Sequence, residues 1–153
     1  MRLAEALVLR ADCQKRIAQL KQRLERVVKV QEGETPAEDS NSLLAELEKV
    51  IQEHSIWVRK VNKTNSLTPY DDKLSLTDAL AQRDQWMQHR KILSDLLDQS
   101  TIKQERYSRS EVVYIRTIDV AAVQKQVDDL SKEYREIDLK IQELNWTVDL
   151  IEE

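Results

Sequence analysis

Apolar residues recur at alternating steps of three and four along most of the chain, the spacing that keeps one stripe on one face of a helix. The pattern predicts four helices. The first, over 3–28, carries Leu3, Ala6, Arg10, Cys13, Ile17, Leu20, Leu24 and Val27, with Arg10 the one charged intruder. The second, over 41–65, carries Leu43, Leu47, Val50, His54, Trp57 and Val61. The third, over 77–99, has a less clean stripe: Ala79, Leu80, Trp86, Met87, Leu93, Leu96 and Leu97 are interrupted by Arg83 and Arg90. The fourth is the strongest, running unbroken through Val120, Val123, Val127, Leu130, Tyr134, Ile137, Ile141, Leu144, Val148 and Ile151.

Breaks between these stripes carry turn and cap chemistry. Gly33 and Pro36 stop the first helix, and Asp39 or Ser40 can cap the second by accepting from a free backbone N–H. Pro69 with Asp71 and Asp72 marks the next loop, and Asp119 is the cap of the fourth helix. A fourth helix reaching 151 would be roughly 45 Å long, so it needs an equally long partner; an antiparallel first helix is the natural choice. A repeat of seven predicts a gentle left-handed coiled coil.

One stretch breaks the helical rule. Residues 112–118 are rich in β-branched and aromatic side chains, which favours a strand. With the first and fourth helices antiparallel, 28–32 would lie beside it. The expected fold is therefore mainly α: one helical domain over 1–153, an antiparallel four-helix bundle or long helical hairpin with a small two-stranded β-ribbon pairing 28–32 with 112–118. The ribbon would set the acidic loop of Glu32, Glu34 and Glu38 beside Arg106 and Arg109.

Composition narrows the functional classes. Charged residues make up 34% and apolar residues 41%, with one glycine and a net charge of -4 from interleaved acids and bases. That balance offers no concentrated basic surface for nucleic acid and no polybasic membrane anchor. The apolar opening is broken by Glu5 and Arg10, so it is not a secretory core, and no run approaches the ~20 apolar residues of a membrane span. A single cysteine, Cys13, makes no internal disulfide and points to a reducing, cytoplasmic setting.

Candidate chemistry is sparse. His54, His89 and Cys13 have no ligand spacing, so no metal and no cofactor are expected. One glycine excludes a phosphate loop, and no nucleophile elbow or acid–base constellation stands out; the chain does not read as an enzyme. Four polar residues sit on or near apolar stripes: Arg10, His54, Arg83 and Arg90. The arginines either fix register and oligomer state or line an internal anion site, while His54 reads as a core histidine hydrogen-bonded to a neighbour. In the RYSRSE run, Arg106, Tyr107, Arg109 and Ser110 gather donors that a phosphate, a carboxylate or a partner would meet. Trp146 lies just off the fourth stripe, which suggests a second contact face and hence a homo-oligomer.

The runs LAEALVLRADCQKRIAQLKQRL, VQEGETPAED, RYSRSE and IDLKIQELNW resemble bacterial septicolysin-like proteins, over most of the chain. The resemblance implies a helical protein, and the pore-forming label some members carry implies membrane activity; it brings no functional residues with it. The 112–118 run is shorter than the roughly 9–11 residues of a membrane β-strand. The sequence does not by itself say what the protein does. It favours a protein acting through assembly or protein interaction, with a membrane-active role and anion binding at 106–111 as alternatives.

Overall fold

A computed structural model of the chain describes residues 1–101 and 112–153. Four helices follow in order: α1 Leu3–Val27, α2 Ser40–Leu67, α3 Leu76–Gln99 and α4 Val120–Thr147. The apolar stripes are the reason for them, and the caps fall where expected. The Asp39 carboxylate accepts from the Ser42 amide at 3.1 Å, and Asp119 accepts from Ala122 at 3.1 Å. Gly33, at φ +88°, takes the left-handed turn after α1, a conformation that disfavours any side chain with a Cβ.

The chain divides into two compact units, Met1–Thr77 with Glu143–Glu153 and Asp78–Gln142. In the first, α1 packs on α2. Cys13, Leu20, Leu24 and Val27 interlock with Leu43 and Val50, and Ile17, Leu47 and Trp57 close over them. Each fully buried aliphatic of this seam contributes about 1.5–3 kcal/mol relative to exposure. Arg16 reaches Glu53 of α2 at 3.4 Å, while the Arg23 guanidinium clasps Glu38, just ahead of α2. Glu38 is thus held from α1; the arginines expected beside it, Arg106 and Arg109, lie outside the described residues.

The two ends of the chain are tied together in this same unit. The Leu3 amide donates to the Val148 carbonyl at 2.9 Å, and Leu150 donates to the Met1 carbonyl at 2.8 Å. An antiparallel bridge joins Arg2 and Asp149, whose side chains also pair at 2.8 Å. Fully buried Thr64 accepts from the Ile151 amide at 2.9 Å while donating to Lys60 O. The fourth helix therefore ends at Thr147, short of the expected 151, and its last turn hands over to this clasp.

The expected ribbon does not form. Among the described residues there are no strands, only isolated bridges at Arg2–Asp149 and Pro69–Ser75. Residues 28–32 form no ladder, and 112–117 run without regular secondary structure. The physical reason is that α1 has already turned to meet α2, so the chain after it is committed to the Gly33 loop.

Candidate functional site

The polar seam residues separate into two kinds. In the second unit, Arg83 and Arg90 both reach from α3 to α4. Arg83 Nη1 donates to Asp138 at 2.9 Å, with Asp84 at 3.5 Å from its Nε. Arg90 Nε donates to the Ser131 hydroxyl at 2.6 Å. Seven residues up α3 correspond to seven residues down α4, so the two contacts record one antiparallel, heptad-spaced register. Asp84 neighbours Arg83 in the chain; Asp138 and Ser131 come into reach only through the register.

In the first unit, Arg10 and His54 lie half-buried on α1 and α2. Arg10 Nε, His54 Nε2 and the Trp57 indole N–H are buried without a hydrogen-bond partner among the described residues, so the neighbour expected for His54 is not found at Nε2. Each such group costs about 1–3 kcal/mol in the folded state. Cys13, one turn on from Arg10, is buried and lies beside Glu53. Burial pushes its thiol above the usual range, and the Glu53 charge and hydrogen bond add to the rise. A thiol held neutral is a poor nucleophile and a poor metal ligand. Trp57 joins this group unannounced: its place on the α2 stripe marked it as core, and nothing in the pattern marked its N–H as unpaired.

The other unusual surface is the segment before α4. Val113, Tyr114 and Ile115 are 83%, 72% and 79% exposed. No backbone–backbone hydrogen bond reaches 113–118 among the described residues. Arg116 Nε donates to Ser100 O at 2.9 Å, which fixes the segment beside the end of α3. A cleft of about 540 Å³ lies between Leu96, Ser100 and Thr101 on one side and residues 114–118 on the other. The candidate anion site of Arg106, Tyr107, Arg109 and Ser110 lies outside the described residues.

Among the described residues, no group of three or more His, Cys, Asp or Glu is placed to hold a metal ion. Nor is any described helix long and apolar enough to cross a membrane. Fold and surface together define a protein of paired helices with an exposed apolar segment before α4. The chain belongs to a family of unknown function (DUF6847), matched over residues 10–150. It is also similar to a functionally unknown conserved protein from Corynebacterium diphtheriae, known from a crystal structure, with 45% identity, 99% of each chain covered and a TM-score of 0.89. No curated protein matches the chain.

Proposed function

We propose that the protein works by assembly with another protein chain, and that the exposed apolar segment before α4 is the surface that makes the contact. One observation carries this reading: three consecutive apolar side chains, Val113 to Ile115, stand mostly in solvent on a backbone with no ladder partner among the described residues. A run of β-branched and aromatic residues whose amides and carbonyls meet no ladder among the described residues suits strand addition to a partner. Chains that keep such a run in isolation are prone to aggregate, so a partner is the expected resolution. The polar contacts of the helices fit the same reading, since Arg83 and Arg90 are spent on internal register. A cytoplasmic setting suits it too, because the one cysteine is a buried, protonated thiol rather than a disulfide partner.

Light scattering across a hundredfold concentration range tests the reading. The native chain should grow in mass with concentration, while a Val113→Asp, Ile115→Asp variant should stay at the mass of one chain with unchanged helical content. A native chain that is monomeric throughout would overturn assembly. The membrane activity implied by the septicolysin-like resemblance is read from the same samples by dye release from anionic and neutral liposomes; leakage by native protein and variant alike would favour that role instead.

A further inference from the structure

The partner of the extended segment follows from its own sequence and geometry, given the assembly reading above. We infer that residues 113–117 pair antiparallel with the same residues of a second copy of this chain, about a two-fold axis at Ile115.

Symmetry limits the choices. In an antiparallel ladder, a two-fold axis between two identical strands passes through the centre of one residue pair, so some residue must face its own copy. Centring on Arg116 would set two guanidinium groups against each other, which is destabilising. Centring on Ile115 instead places Arg116 opposite the partner's Tyr114, and Tyr114 opposite the partner's Arg116. Side chains alternate between faces, so these two cation–aromatic pairs share one face. The other face then holds Val113 opposite Thr117, Ile115 opposite its copy, and Thr117 opposite Val113. Every position there is β-branched, the composition that packs best on a pleated surface.

The structure supplies what this pairing needs. All five residues are exposed, and the backbone from 113 to 117 has no ladder partner of its own among the described residues. Arg116 is already held through Nε by Ser100 O at 2.9 Å, so its guanidinium has less freedom to lose on stacking. Pairing of these five residues covers only the facing edges of two short segments, less than a standard interface buries. A weak, concentration-dependent dimer is the expected product.

Cysteine scanning on a Cys13→Ser background tests the register. Single cysteines are placed at 113, 114, 115, 116 and 117, and oxidative cross-linking is followed at a concentration where light scattering shows the dimer. Directly opposite residues approach to about 4.5–5.5 Å between Cβ atoms, so Ile115→Cys should cross-link about tenfold faster than its neighbours. A mixture of Tyr114→Cys with Arg116→Cys should outpace either alone. In uncross-linked protein, Tyr114→Ala should weaken the dimer about tenfold while Tyr114→Phe keeps it within about threefold, because the ring rather than the hydroxyl meets the cation. A dimer whose cross-linking peaks at another position, or shows no peak, overturns this pairing and leaves assembly standing. A chain that is monomeric by light scattering overturns both.

Discussion

Removing the Arg83–Asp138 contact should cost more than a surface ion pair and less than a fully buried one. The side chains are 24% and 29% exposed, and the Nη1–Oδ1 distance is 2.9 Å. Exposed pairs contribute about 0.2–1 kcal/mol, and breaking a buried pair costs about 3–5 kcal/mol. The geometry sits between, and Asp84 at 3.5 Å still gives Arg83 a second carboxylate. A coupling energy of about 1–2 kcal/mol is therefore expected. The assay is a double-mutant cycle on Arg83→Met and Asp138→Leu, read by urea unfolding followed by circular dichroism. Asp138→Leu alone should lower the melting temperature by about 3–6 °C, and adding Arg83→Met should recover part of the loss. Ser131→Ala, which takes the acceptor from Arg90, should cost less, because it removes a neutral partner. A coupling energy near zero would show that the two arginines decorate the α3–α4 seam rather than set its register.

Three further outcomes follow from other contacts. Arg23 and Ser42 hold the carboxyls of Glu38 and Asp39 below their ordinary values of about 4.5 and 3.8. A depressed native value adds stability above the unfolded value and loses it as pH falls through the native one, so the melting temperature should drop on acidification below about pH 4.5, and Glu38→Gln should flatten that drop. The Cys13 thiol, buried and shifted upward, should resist a thiol reagent at pH 7 in the folded protein and react on unfolding; fast labelling of the native state would contradict the packing of α1 on α2. Thr64→Val leaves the Ile151 amide without its acceptor, so a loss of about 1–2 kcal/mol in urea unfolding is expected, with faster amide exchange at Ile151 as the local signature.

Helices were the legible part of this sequence. Stripe spacing located all four, and Asp39 and Asp119 cap where their side-chain chemistry predicts. Their pairing was not legible, because a heptad stripe of Leu, Ile and Val accepts any similar stripe. Length matching favoured the first helix with the fourth, but a connection of only 12 residues, 28–39, lets α1 fold directly back on α2. The terminal clasp was hidden for a different reason: Arg2 and Asp149 belong to no periodic pattern, Thr64 continues the α2 stripe as a polar residue, and the contacts form only once both ends are in place. The β-branched run at 112–118 was read as a strand paired with 28–32 and forms none, since composition favours a strand's conformation but says nothing of a neighbour to pair with. Trp146 stood off the α4 stripe in sequence and remains 60% exposed in the fold.

Hydrogen exchange of the amides at 113–117, resolved by residue and measured from dilute to concentrated protein, tests the assembly claim most directly. Strand pairing predicts protection that rises with concentration and falls on alternate residues, because every second amide of an antiparallel ladder points at the partner. Exchange at the rate of an open chain for all five amides, at a concentration where the mass has doubled, would contradict it.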